Sequence, residues 1–367
     1  MHVKASAPAS EPPPVKIAVL AHIRFPVRPP YKGGMEAHAA GLTRALVERG
    51  HDVALFASGD SDPALPLRAA TPTHYEADLP WHDFRASLTL RVRLATVYRD
   101  VLAEIEGEGF DVIHNNTLHP RPHTWARHRR HPMVTSLHIP PFHTLKKAVT
   151  GEEAPWLVKT LTSAQQVPLW WPTDPPATAR VVHNGIDLAA WPYRPTGDGS
   201  AVWFGRIART KGTGYAVRAA RAAGVPLTLF GVIEERDYYD AEVAPYLGAD
   251  IRYGGHLSQP ELAEEAARAS ALLFTPMWEE PFGLAAAEGM ACGLPVAAFA
   301  SGAAREVIGP CGHFAEPGDV AGLTEALRRA MASDRAASRR WVEDRYSVGA
   351  MVAGYEAAYA AAVAGAT

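Results

Sequence analysis

Short, almost continuous apolar runs alternate with amphipathic stretches from residue 15 onward. Val15 to Ile23, Val53 to Ala57, Asp111 to His114, Met133 to His138 and Leu157 to Thr162 have the length and character of strands buried on both faces. Between the first two, Met35, Ala39, Leu42 and Leu46 share one helical face, and Gly50 ends that helix. Ser87 to Ile105 repeats the helical spacing. After an extended Arg180 to His183 and a turn at Asn184-Gly185-Ile186-Asp187, a second series begins. Its strands are Ala201 to Phe204, Leu227 to Phe230, Ile251 to Tyr253, Ala271 to Thr275 and Leu294 to Phe299. Its helices are Leu262 to Ala269, Leu284 to Ala291, Gly318 to Met331 and Val348 to Val363. Strands that alternate with helices pair in parallel through right-handed crossovers, so the pattern predicts α/β architecture with two doubly wound sheets.

Composition narrows the classes without choosing among them. The chain has 367 residues, enough for two domains, and is 47% apolar and 20% charged. A formal net charge of -3 gives no bulk attraction to nucleic acid or membrane. Two cysteines, Cys292 and Cys311, form no disulfide framework, which points to a reducing compartment. No apolar run is expected to reach the length of a membrane helix, and Met1 to Pro14, polar and Pro-rich, reads as a disordered tail.

The candidate chemistry lies where strands give way to helices. Glu280-Pro281-Phe282-Gly283 is a turn between a buried strand and the helix from Leu284. The amides of Phe282, Gly283 and Leu284 open a helix N-terminus, which favours an anion or an electron-rich oxygen. Glu280 and Glu288 bracket that turn; counted as helix, their spacing rises about 12 Å, roughly the span of a sugar diphosphate with its ribose. Arg206 and Lys211 flank another strand-to-helix turn, a suitable place for a diphosphate. Gly33-Gly34 sits between the first strand and first helix, where backbone approaches a ligand closely; it lacks the glycine spacing of a dinucleotide fingerprint. Asp60-Ser61-Asp62 has the form of a metal-binding pair, but it follows the second strand with no third ligand nearby and reads as a loop cap. Arg121 to His131, with four arginines and three histidines, reads as a solvated basic helix face, or alternatively as a contact for an anionic acceptor or lipid headgroup.

Several of these strings together resemble retaining nucleotide-sugar glycosyltransferases of the GT-B fold, in particular glycosyltransferase family 4. They are Gly-Arg-x4-Lys-Gly from Gly205, Glu-x7-Glu from Glu280, Ser136-Leu137-His138, Gly33-Gly34-Met35-Glu36 and Asn184-Gly185-Ile186-Asp187. The resemblance implies two Rossmann-like domains facing across a cleft: a tail over 1–14, an acceptor-side domain over 15–179 and a donor domain over 180–345. It also implies that the helix over 346–367 crosses back onto the first domain. It assigns Glu280, Phe282, Gly283 and Leu284 to the donor sugar, Glu288 to the ribose, Arg206 and Lys211 to the diphosphate and His138 to the sugar. Gly33 and Gly34 fall beside the donor phosphate and acceptor, and His256 and Leu257 at the nucleobase. Glu280, Arg206, Lys211 and His138 are then the catalytic set. Ser301-Gly302-Ala303-Ala304-Arg305-Glu306 resembles a Gly-Gly-x-x-Glu motif near the same cleft, without its second glycine.

The expectation is transfer of a sugar from a UDP- or GDP-linked donor to the hydroxyl of a saccharide, glycolipid or small molecule, with retention. No metal and no other cofactor is expected, and nucleic acid is not expected as a partner. The expected location is the cytoplasm, with peripheral contact at the inner membrane face as an option. The alternative reading is a nucleotide-sugar epimerase of the same fold.

Overall fold

The computed structural model describes residues 13–85 and 87–367, so the expected tail lies almost wholly outside the described residues. The first sheet has seven parallel strands: β1 (Lys16–Ala21), β2 (Asp52–Ser58), β3 (Leu67–Thr71), β4 (Val112–Asn116), β5 (Met133–Leu137), β6 (Leu157–Leu161) and β7 (Ala179–Val181). Their order across the sheet is β3-β2-β1-β4-β5-β6-β7. The second sheet has β8 (Ala201–Phe204), β9 (Leu227–Phe230), β10 (Ile251–Tyr253), β11 (Ala271–Phe274), β12 (Val296–Phe299) and β13 (Gly312–Ala315), in the order β10-β9-β8-β11-β12-β13. Both are doubly wound, with chain reversal beside β1 and β8, and ligand crevices in such sheets lie beyond the carboxyl ends of the strands at those points.

Burial follows the run lengths. Ile17 to Ala21 of β1 is buried throughout, because helices cover both faces. The Gly34–Glu48 helix buries Ala39, Leu42 and Leu46 as expected. The Leu88–Glu108 helix starts where the Ser87 hydroxyl accepts from the Leu90 amide and ends at Gly109 in the left-handed region. The boundary expected near Ala179 falls inside β7, which pairs with β6, so the first domain runs on through Val181.

The Val348–Ala366 helix returns to the first domain. Met351, Val352, Tyr355, Ala358, Tyr359 and Ala362 join one core with Ile17, Val19, Val134 and Val158. By length and composition this helix could cross a membrane, contrary to the expectation from the sequence; here its apolar side is packed on a sheet. Elsewhere the domains meet at few points. The Thr162 hydroxyl donates to the Pro281 carbonyl at 3.1 Å, and the Glu306 carboxylate accepts from the amides of Ala164 and Gln165 at 2.9 and 3.1 Å. Ser163 precedes the short helical segment Ala164–Gln166, but its hydroxyl makes no hydrogen bond among the described residues, and the second domain's Glu306 takes the amides instead.

Candidate active site

The second-domain wall of the candidate site is built by the loops that leave β8, β9 and β11. Gly212 follows Lys211 in the left-handed region at φ 65°, and a Cβ there would lie 2.2 Å from the Thr275 carbonyl oxygen. This close approach holds Lys211 against the end of β11. Its Nζ donates to Glu280 Oε2 at 2.6 Å, and the Trp278 indole N–H donates to the same oxygen at 2.7 Å. Glu280 Oε1 has no protein partner among the described residues. Gly302 explains why the Glu280 turn is fixed: a Cβ there would lie 2.3 Å from the Glu280 amide nitrogen, and the Ala303 amide donates to the Glu280 carbonyl at 2.8 Å. Gly302 alone therefore makes a close backbone contact, although the second glycine of the motif is missing.

Arg206 is half-exposed on the adjoining loop and is ion-paired with Glu234, which follows β9. Both cations expected at the diphosphate thus hold a carboxylate. Arg209 pairs with Glu235 at 3.3 Å and lies over the Tyr238 ring. His256 is exposed and Leu257 half-buried beyond β10.

Only Glu288 of the bracketing pair is helical. The helix spans Leu284–Ala291 with Gly283 at its N-cap, φ 94°, so the turn sets the first half of the spacing and the rise from Leu284 to Glu288 is about 6 Å. The expected 12 Å of helix between the two carboxylates is corrected accordingly. Glu288 has no hydrogen-bond or ion-pair partner among the described residues, and burial pushes its carboxyl up to about 7. Phe282 is buried between His183 and Tyr346.

On the first domain, Gly34 packs close to Leu284, where a Cβ would lie 2.7 Å from Leu284 Cδ1. Gly33 is extended, so its place needs no left-handed residue. His138, just past β5, sits with its Nε2 2.7 Å from Asn116 Oδ1. An amide oxygen only accepts, so Nε2 carries the proton. Burial, reinforced by His38, His114 and His22, holds this imidazole well below its ordinary value. It is therefore neutral, and its Nδ1 is a hydrogen-bond acceptor. Beneath it, His38 packs edge-on at 4.5 Å between ring centroids and lies 3.4 Å from the Tyr355 hydroxyl. His114 is held by the Tyr359 hydroxyl at 2.6 Å and Ser136 at 2.9 Å. Burial lowers His38 to about 4 and His114 to about 3. The serine that replaces the family's threonine at position 136 thus serves this network.

Asp60 accepts from the amide of His74 and pairs with its ring, while Asp62 pairs with Arg44 and accepts from the Ala64 amide. Both carboxylates are spent on local structure, as a loop cap requires. In the basic segment Arg121, His128 and Arg129 are exposed, but His123 is fully buried against Thr135, so this is not a uniformly solvated face.

Trp278, Glu234, Asn116 and Tyr359 were not singled out in the sequence. For Trp278 a signal existed: it lies two residues before Glu280, on the same side of an extended segment. The other three are distant in sequence from the groups they hold.

Residues 32–168 match the family model described as Glycosyltransferase Family 4, and residues 194–347 the one described as Glycosyl transferases group 1. The glycogen synthase of Mycobacterium tuberculosis is 34% identical over 176 residues, 45% of this chain and 42% of that protein, so the match spans less than half of that relative's length. The D-inositol 3-phosphate glycosyltransferase of Mycolicibacterium paratuberculosis is 28% identical over 337 residues, 79% of this chain and 75% of its own. Two solved structures share the fold. AviGT4, a glycosyltransferase involved in avilamycin A biosynthesis, superposes with TM-score 0.70 at 20% identity, covering 96% of this chain and 99% of that one. HepE of Anabaena, solved in complex with UDP-glucose, gives 0.69 at 17%, covering 94% and 99%.

Proposed function

Because the chain belongs to the GT-B glycosyltransferases, with a family 4 first domain and a group 1 second domain, we propose that it moves a sugar from a nucleotide-sugar to an acceptor hydroxyl. We further propose retention at the anomeric carbon and no requirement for a divalent metal. The observation that carries this reading is the 2.6 Å contact of Lys211 with Glu280, which puts a cation for phosphate beside a carboxylate with one oxygen unengaged. The complex of HepE, a protein of this fold, with UDP-glucose supports a nucleotide-sugar as the donor.

In the transfer, the bond from the anomeric carbon to the diphosphate oxygen breaks and its electron pair stays with that oxygen. The acceptor oxygen bonds the same carbon from the same face, and its proton passes to the departing phosphate. Negative charge grows on the diphosphate, where Arg206 and Lys211 stabilise it as fixed cations. Glu280 accepts from donor-sugar hydroxyls and Glu288 from ribose hydroxyls. His138 accepts a hydrogen bond from a hydroxyl through Nδ1 and carries no charge to the site. Positioning and phosphate stabilisation are the sources of rate in this scheme. The first-domain wall takes the acceptor, a saccharide, glycolipid or small molecule. We assign the protein to the cytoplasm or the inner face of the membrane, in keeping with two free cysteines.

The test is a thermal-shift panel of nucleoside diphosphates followed by transfer assays with the matching donor, with and without chelator. A cognate nucleotide at about a hundred times its dissociation constant stabilises by about 2.7 kcal/mol. Transfer that survives chelation, with the anomeric configuration retained, is expected. Abolition by chelator and restoration by Mg²⁺ overturns metal independence. Epimerised donor sugar without transfer to any acceptor favours the epimerase reading.

A further inference from the structure

We propose that Trp278 is a positioning residue that sets which oxygen of Glu280 meets the donor sugar; this rests on the donor-sugar role given to Glu280 above. The Glu280 carboxylate is buried, and Oε2 accepts from two donors of different character, Lys211 Nζ at 2.6 Å and the Trp278 indole N–H at 2.7 Å. Both point at the same oxygen, so Oε1 is the atom left for a ligand. The indole also lies against the lysine, with Nζ 5.2 Å from the ring centroid, a distance at which the ring face attracts a cation. Trp278 therefore touches both members of the pair.

The backbone that carries the ring is itself held in place. The Trp278 carbonyl accepts from the Ser301 hydroxyl at 2.5 Å, and the next residue past Ser301 is the glycine that packs on the Glu280 backbone. The Met277 amide donates to the Thr210 carbonyl at 2.8 Å, tying the same segment to the Lys211 loop. Segment 277–280 thus spans the loop that carries Lys211 and the turn 301–303.

Lysine alone does not fix the carboxylate. An ammonium on a flexible stem can follow either oxygen and turns to phosphate when a diphosphate arrives. An indole N–H is a single donor whose direction the ring fixes, and here it is already aimed at Glu280 Oε2. When Lys211 shifts toward the diphosphate, Trp278 is the partner that still holds Oε2, and Oε1 stays aimed at the sugar. Its effect thus falls on the sugar end of the donor, while the nucleotide end is untouched.

The experiment uses the full chain and the variant Trp278→Phe, which deletes the N–H and keeps a ring under the lysine. Calorimetry with the bare nucleoside diphosphate and steady-state turnover of the nucleotide-sugar, including slow transfer to water, separate the two ends. The expected result is bare-diphosphate affinity within about twofold of wild type and kcat lowered at least tenfold, with Trp278→Ala lower in kcat again. Wild-type kcat in Trp278→Phe, or an equal loss of diphosphate affinity and turnover, overturns the proposal. A second measurement stands apart from the donor reading. In ligand-free protein, the ¹⁵N–¹H indole resonance that disappears in Trp278→Phe should shift in Glu280→Gln. An unmoved resonance removes the contact on which the proposal stands. If the wild type turns over no nucleotide-sugar while the resonance moves as expected, the donor reading fails and the positioning contact does not.

Discussion

On the second-domain wall of the cleft, Arg206 and Lys211 each hold a carboxylate, from Glu234 and Glu280. On the first-domain wall, His38, His114 and His138 hold neutral partners: hydroxyls of Tyr355, Tyr359 and Ser136, and the amide of Asn116. In the proposed function the second-domain wall meets an anion. Cations that already have a carboxylate neighbour exchange one anion for another there. The first-domain wall meets uncharged hydroxyls in the same reading. Desolvated neutral imidazoles offer directional hydrogen bonds there and attract no competing anion. A reaction that moves a neutral sugar off a charged leaving group needs both kinds of surface, separated.

The largest effect that tests this contrast is on stability against acid. His38 and His114 have an ordinary value of 6.5 and are lowered to about 4 and about 3 in the fold, so below 6.5 the unfolded chain binds more protons than the native one. Their contribution is present above about 6.5 and is lost as pH falls, each by up to about 1.4 kcal/mol per pH unit until its folded value is reached. Glu288, raised from 4.5 to about 7, acts in the opposite sense: its cost appears as pH rises through that window and fades on acidification, offsetting about one histidine. Urea midpoints from pH 8 to pH 4 should therefore fall, and His38→Gln should flatten the decline. A flat wild-type profile breaks the claim that these imidazoles are neutral.

Next in size is Lys211→Ala. It removes a charge-assisted bond to phosphate and should weaken nucleoside diphosphate binding by about 1.5–3 kcal/mol, measured by calorimetry. Unchanged affinity would take the diphosphate off this loop. Smaller again is Tyr359→Phe, which strips the hydroxyl that lies 2.6 Å from His114. The loss should cost about 1–2 kcal/mol of folding stability and leave diphosphate affinity untouched, because it acts on the other wall. Affinity that falls with it would couple the two walls through the C-terminal helix. The smallest is Glu234→Gln. Its pair with Arg206 is half-exposed, where such pairs contribute about 0–1 kcal/mol, so freeing the arginine should tighten diphosphate binding by at most a few-fold. Weaker binding would show that Glu234 orients Arg206 and does not compete for it.

The two walls were also unequally legible. The second-domain wall is local in sequence: Gly205 to Gly212 and Glu280 to Glu288 each carry their chemistry within one strand-to-helix turn, and such turns are visible as apolar run, glycine, then helix former. The first-domain wall is assembled from distant positions. His38, Asn116, His138 and Tyr355 lie on four elements, and nothing in the periodicity of any one of them announces a shared network. Elements with a polar pattern were missed for a related reason. The Arg335–Arg345 helix buries only Arg335, Ser338 and Val342. It is anchored by the Arg335 guanidinium, which donates to the carbonyls of Arg194, Ala267, Ala269 and Cys292. A guanidinium satisfied by backbone carbonyls leaves no apolar stripe to read. Edge strands β3 and β13 escaped because they are only partly buried and short.

The central claim is that the donor lies along the second-domain wall with its sugar at Glu280 and its ribose at Glu288. The measurement that tests it most directly pairs calorimetric affinity for the bare nucleoside diphosphate with steady-state turnover of the complete donor, in Glu280→Ala and Glu288→Ala. A carboxylate on the ribose matters for any nucleotide; one on the sugar matters only when the sugar is present, and most in the transition state. Glu288→Ala should weaken the bare diphosphate, while Glu280→Ala should leave that affinity nearly intact and lower the turnover rate. Loss of the bare diphosphate in Glu280→Ala with none in Glu288→Ala would mean that the donor lies in the cleft the other way round.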